Sequence, residues 1–147
     1  MSSTFSSLRM HLVFSTKQRR PFIQDSWRSA LHEYVGGTVR GLGGVAEAIG
    51  GVADHVHLLV SYKPTHCVSD FVRELKKAAS VWATETHEPR FSWQEGYSVF
   101  SVSVSQKERV RGYIANQEAH HRQRDFRAEL DELLHKHEIE FDPKSLE

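Results

Sequence analysis

Hydrophobic and polar positions alternate most sharply over Ala53 to Val60, where His55, His57 and Leu59 fall on one side of an extended chain and Val56, Leu58 and Val60 on the other. This predicts a strand with one face turned to a core and two imidazoles on the opposite face. Residues 8 to 16 (LRMHLVFST) predict an earlier strand, and Tyr97 to Ser105 a later one with Phe100, Val102 and Val104 on one face. Trp27, Leu31, Tyr34, Val35 and Val39 recur at helical spacing, with Gly41 placed to stop that helix. After Pro64, a second helical stripe is made by Val68, Phe71, Val72, Leu75, Ala79 and Trp82. The glycine-rich segment from Gly43 to Val52 lacks G-x-G-x-x-G and precedes a strand rather than a helix, so it reads as a hairpin arm and not a phosphate-cradling loop.

Residues 87 to 96 read as a loop. Ser105-Gln106-Lys107-Glu108 has the form of a capping box, which would start one helix carrying both Tyr113 and, four residues on, Gln117. Phe126, Leu130, Leu133, Leu134 and His137 predict a last amphipathic helix, followed by a loosely held acidic end. Strand, helix, two strands, helix, strand, helix is an α+β order, and strand pairs joined this closely are antiparallel. The expected fold is a ferredoxin-like (RRM-like) antiparallel sheet with helices packed on it. The chain of 147 residues is expected to be a single domain, with an acidic helical C-terminal extension from about 125.

The net charge is zero, but it divides. Residues 1 to 124 hold 16 Lys+Arg and 11 Asp+Glu, a net of +5, and residues 125 to 147 hold 3 and 8, a net of −5. A basic body can meet phosphates while the whole molecule stays neutral. Lys17, Arg19 and Arg20 follow the first strand as a basic loop, which reads equally as a DNA-backbone contact or a solvated surface. Trp93 is a candidate base-stacking aromatic, although a loop tryptophan also serves to plug a packing gap. Arg122 and Arg124 are further candidate DNA contacts. The single cysteine, Cys67, excludes an intramolecular disulfide, and no apolar run has the length of a membrane span, so a cytoplasmic protein is expected.

Two imidazoles on one strand face, a phenol and a carboxamide are the parts for metal-assisted attack on phosphorus. With ten histidines in the chain an H-x-H is weak by itself, and it gains weight from the strand that holds it and from the downstream Tyr113 and Gln117. His120 and His121 are alternatives to Gln117 as a ligand, or contacts to DNA phosphates. Ligand chemistry leaves the metal open, because imidazoles favour softer ions and carboxamide and phosphate oxygens favour Mg²⁺ or Mn²⁺.

Over most of its length the chain resembles the single-tyrosine HUH transposases of bacterial insertion sequences and their REP-associated relatives. The resemblance rests on MHLVFSTKQRRPFI, ADHVHLLVSY, FSWQEGYSVFSVS and YIANQEAHHRQRDF. Such proteins usually carry Pro where this chain has Ala53, a change that removes no chemistry. The resemblance implies that His55, His57 and Gln117 bind Mg²⁺ or Mn²⁺, and that Tyr113 cleaves and rejoins single-stranded DNA, at hairpin ends, through a covalent 5′-phosphotyrosine. It also implies a homodimer that shares its active sites between chains. The segment Tyr97 to Ser105 agrees, since no Pro, Lys or Arg blunts it as an edge. Two other readings stand beside this one: a hairpin-binding module that no longer cuts, and a metallohydrolase in which His55, His57, His120 and His121 hold the ion.

Overall fold

The computed structural model describes residues 3–121 and 124–146. β1 (Arg9–Ser15), α1 (Asp25–Gly41), β2 (Val45–Val52), β3 (His55–Ser61), α2 (Val68–Thr86) and β4 (Ser98–Val102) are followed by α3 (Lys107–Ala115), α4 (Gln117–His120) and α5 (Phe126–Lys136). The sheet has the order β2-β3-β1-β4, and every neighbouring pair is antiparallel. This is the ferredoxin-like arrangement that the element order implies. The basic loop after β1 and the two-residue turn between β2 and β3 lie at one end of the sheet, joined by Thr16 N–H to the Asp54 carbonyl at 2.9 Å.

The two faces of the sheet do different work. Val56, Leu58 and Val60 join Leu12 and Phe14 in a core completed by Trp27, Leu31, Val35 and Val39 of α1 and by Phe71, Val72 and Leu75 of α2. Each fully buried side chain of this kind contributes about 1.5–3 kcal/mol, so this layer carries most of the stability. On the other face α3 and α4 lie over β2 and β3. α5 lies over β1 and β4, where Phe126, Leu133 and Leu134 meet Val13 and Phe100. The seam between these two helical covers runs over His55 and His57.

The α1 helix does end at Gly41, and the turn that follows it puts Gly43 at φ 90°, where a side chain would be strained. Several local expectations are corrected. β4 stops at Val102; a 3₁₀ turn over Val104–Gln106 follows and leaves Val104 exposed. The helix therefore starts at Lys107 without a side-chain cap, the expected capping box does not form, and Ser105 Oγ pairs instead with Ser103 Oγ. Tyr113 and Gln117 sit on two helices rather than one, because the chain breaks at Asn116, a weak helix former, with ψ at 22°. The acidic end is also tied down. Phe141 and Leu146 pack beside α5, and the Arg19 guanidinium donates to the Leu146 carbonyl at 3.0 Å.

Gly50 sets how closely α3 approaches. It pairs across the sheet with His57, and a Cβ built on it would lie 2.1 Å from the Ile114 carbonyl oxygen. Only a bare Cα lets the tyrosine helix rest there. Gly50→Ala is therefore expected to lift α3 from the sheet and to cost about 1–3 kcal/mol in urea unfolding; wild-type stability in that measurement would contradict this account of the helix position.

Candidate active site

The strand pattern delivers His55 and His57 to the seam, and both are fully buried there. Each is gripped from behind by a partner on its Nδ1. His55 Nδ1–H donates to Asp54 Oδ1 at 2.7 Å, and His57 Nδ1 shares a 2.7 Å hydrogen bond with His11 Nε2. Such outer partners fix the rotation of an imidazole and choose which nitrogen faces the site. Here both Nε2 atoms face inward. His11, on the neighbouring strand β1, belongs to this cluster, and no sequence motif singles it out.

The Nε2 atoms meet Glu129 of α5, a residue also absent from the sequence reading. Its Oε1 lies 2.9 Å from His57 Nε2, 3.2 Å from His55 Nε2 and 3.0 Å from His121 Nε2. Its other oxygen, Oε2, accepts a hydrogen bond from the Tyr113 hydroxyl. Gln117, equally buried, brings its carboxamide oxygen to 3.3 Å from His55 Nε2. One carboxylate thus joins the strand histidines, the tyrosine and His121. Its position is set by Asp125, whose carboxylate caps α5 through the Ala128 N–H at 2.9 Å, one turn before Glu129.

The electrostatics follow from this packing. Burial would raise the Glu129 carboxyl, but hydrogen bonds from His121, His55 and His57 outweigh it and hold it ionised, well below the carboxylate range. Burial pushes the Tyr113 phenol above its ordinary value, and the adjoining carboxylate pushes the same way. Free phenolate is therefore scarce at neutral pH. Burial also holds His11 down to about 3 and His57 to about 4. His55 is raised: burial opposes its charge, but acceptors face both of its nitrogens, Asp54 on one and Glu129 on the other.

A divalent ion fits this donor set. One atom each from His55, His57, His121 and Glu129 lies within 4.8 Å of the others, and the Gln117 oxygen adjoins them. Imidazoles facing inward with their rear nitrogens anchored are the usual preparation for metal ligation.

Residues 4–117 match the family described as Transposase IS200 like. The chain belongs to the IS200-like transposases. The ISDra2 transposase TnpA of Deinococcus radiodurans is 26% identical over 117 residues, 75% of this chain and 84% of the relative. A solved structure of a protein from Deinococcus radiodurans R1 assigned as a transposase superposes with a TM-score of 0.66 at 27% identity, covering 80% of this chain and 95% of that one. A REP-associated tyrosine transposase, solved bound to a REP hairpin, shares the fold with a TM-score of 0.56 at 16% identity, over 78% of this chain and 70% of its own. The family match ends at Gln117, so His121 and Glu129 of this transposase lie beyond it.

The structure rearranges the remaining candidates. Trp93 is no stacking platform: its ring is wedged edge-on against Phe14 and Phe91, and its indole N–H donates to the Lys76 carbonyl at 3.1 Å. Arg19 donates to the Leu146 carbonyl, and Arg124 pairs with Glu132 on the surface. Lys17 and Arg20 stay exposed at the end of the sheet where His55 lies, and Arg122 falls outside the described residues. His120 stands beside Tyr113 with ring centroids 5.2 Å apart. Tyr113 meets the histidines of its own chain, 5.7 Å from His57 between centroids. The close seat at Gly50 holds it there.

Among the described residues no helix is long and apolar enough to cross a membrane. Acid is expected to weaken the transposase. The unfolded chain takes up protons on its histidines near pH 6.5, whereas His11, His32 and His57 in the fold do so only near 3 to 4. Their contribution to stability is present above pH 6.5 and is lost as pH falls toward 4, with His55 offsetting part of it. Thermal unfolding without added metal is expected at a lower Tm at pH 5.0 than at pH 7.5, and an equal or higher Tm at pH 5.0 would contradict these buried neutral imidazoles.

Proposed function

We propose that this transposase cleaves and rejoins single-stranded DNA at hairpin ends, with Tyr113 as nucleophile and His55, His57 and Gln117 as metal ligands joined by His121 and Glu129. The observation that carries the reading is the meeting of the Tyr113 hydroxyl and both strand imidazoles on one buried carboxylate. A nucleophile and a cation site that close together suit attack on a phosphodiester. A bound ion would polarise the scissile phosphate and offset charge building on its oxygens. With three imidazoles beside a carboxylate and a carboxamide, the donor set favours Mn²⁺ over Mg²⁺.

The chain's own groups supply the rest. As the Tyr113 oxygen forms its bond to phosphorus, its proton leaves along the existing hydrogen bond to Glu129 Oε2 and passes on to solvent, since a carboxylate held this acidic does not keep it. The bond from phosphorus to the 3′ oxygen breaks, that oxygen leaves as a hydroxyl after taking a proton from solvent, and the 5′ phosphate stays on the tyrosine. Attack by a 3′ hydroxyl reverses these steps and rejoins a strand. Asp54 and His11 keep the two imidazoles aimed throughout.

The hairpin-bound REP-associated relative supports hairpin ends as substrate, and exposed Lys17 and Arg20 beside the His55 end would meet backbone phosphates. The free outer edge of β4 supports a homodimer, which would pair hairpins rather than complete the chemistry. Such a protein acts on DNA in the cytoplasm. The approach of His121 to the histidine pair favours one rival, a metallohydrolase using water, and covalent trapping separates the two.

On a single-stranded oligonucleotide carrying an imperfect palindrome from beside its gene, the wild-type protein is expected to form a denaturant-resistant DNA adduct, faster in Mn²⁺ than in Mg²⁺. Tyr113→Phe should form none while keeping DNA affinity, and His57→Ala should lose both the adduct and most Mn²⁺ affinity. An adduct that persists in Tyr113→Phe would remove the nucleophile from this mechanism; cleavage without an adduct in the wild type would select hydrolysis by water.

A further inference from the structure

A cleft of about 650 Å³ lies between α3 and α5 on the β4 side of the seam, and its inner end reaches Tyr113, His120 and Glu129. Its volume falls within the range of about 300–1,000 Å³ typical of small-ligand pockets, which is room for a nucleotide. Val110 of α3 and Leu133 of α5 give it apolar walls, and Arg109 and Lys136 stand on the same two helices. Neither cation forms an ion pair among the described residues. The acids nearby are already engaged, Glu132 by Arg124 and Glu129 by the histidines and Tyr113. Arg109 and Lys136 are therefore the two cations of the lining left to meet a ligand's phosphate, beside apolar walls.

Its inner end also holds an unsatisfied group. His120 Nε2 is buried without a hydrogen-bond partner, and Glu129 Oε2 lies beyond hydrogen-bonding reach at 3.5 Å. A buried polar nitrogen without a partner costs free energy that a ligand oxygen can recover. Tyr113, whose ring centroid is 5.2 Å away, is the group that a phosphate must approach.

We propose that the α3–α5 cleft is a subsite for one nucleotide of single-stranded DNA, the nucleotide whose 5′ phosphate Tyr113 attacks. This rests on the proposed function above. In-line displacement sends the 3′ oxygen away from the tyrosine, so the strand retained on the Tyr113 side is the one carrying the 5′ phosphate. The cleft starts at Tyr113 and excludes His55 and Gln117, which places it on that side of the phosphorus. The base lies between Val110 and Leu133, the 5′ phosphate takes the His120 nitrogen, and the next phosphate is met by Arg109 and Lys136. Such a seat would keep the covalently held strand in register for rejoining.

The test is a backbone-amide NMR titration of the full-length protein, without metal, with thymidine 5′-monophosphate, thymidine 3′-monophosphate and inorganic phosphate. The 5′-nucleotide is expected to give saturable shifts at Val110, Leu133 and Lys136 and to bind more tightly than either other probe. The double variant Arg109→Ala, Lys136→Ala should weaken it at least tenfold, and Val110→Trp should fill the cleft and abolish it, with Tm and Mn²⁺ affinity kept in both. If Val110→Trp does not fold, the surface double variant decides alone. No saturable shift in the cleft, equal binding of inorganic phosphate, preference for the 3′-nucleotide, or a double variant that binds like the wild type would each overturn the proposal. The titration involves no cleavage, so failure to form the Tyr113 adduct would count against the proposed function only, and an adduct formed with an empty cleft would count against this subsite only.

Discussion

The buried carboxylate of Glu129 is the interaction on which the site depends. An ionised carboxylate removed from water is costly unless donors replace the water, and here donors come from three places in the chain: β3, the tyrosine helix and the residue after α4. Satisfying that one charge fixes the distance between strand and helix covers. It also explains why α5 belongs to the working structure even though its apolar contacts form only a small cluster apart from the main core. Asp125, capping α5 one turn earlier, holds the carboxylate at the right height.

The second constraint is the division of labour within β3. Its even positions, Val56, Leu58 and Val60, commit the strand to the α1–α2 core, and this commitment turns His55 and His57 outward to the opposite face with no freedom of register. Gly50, directly across from His57, then admits the Ile114 carbonyl where any side chain would exclude it. Core packing on one face thus aims the chemistry on the other, and the tyrosine reaches the histidines of its own chain.

The sheet, its antiparallel order, the two-faced histidine strand and the roles of α1 and α2 were legible because they rest on short-range periodicity. The proximity of His55, His57, Tyr113 and Gln117 was legible only through resemblance, since no local pattern states that residues 62 apart will touch. Glu129 and His11 were missed for the same reason: they meet His57 across 72 and 46 residues. Glu129 did leave a trace. It lies three residues after Phe126 and four before Leu133, an acid on the apolar stripe of its helix, and a charge there needs a buried partner. The false capping box at Ser105 failed because tertiary packing overrode a local signal, the 3₁₀ turn after β4 having taken that residue, whereas Trp93 took the packing role that its loop position also allowed, in the aromatic cluster around Phe14 and Phe91.

In the proposed mechanism Glu129 joins nucleophile and metal ligands, drawing off the Tyr113 proton while holding the histidines. Glu129→Gln keeps the size and an acceptor oxygen but removes the charge that takes the proton. The single-turnover rate of adduct formation on a single-stranded hairpin oligonucleotide, in saturating Mn²⁺, measures its effect directly. A fall of about 10²–10⁴-fold is expected, the usual worth of a positioned proton acceptor; a rate equal to or above the wild type would rule this role out and show that the carboxylate blocks the site instead of serving it.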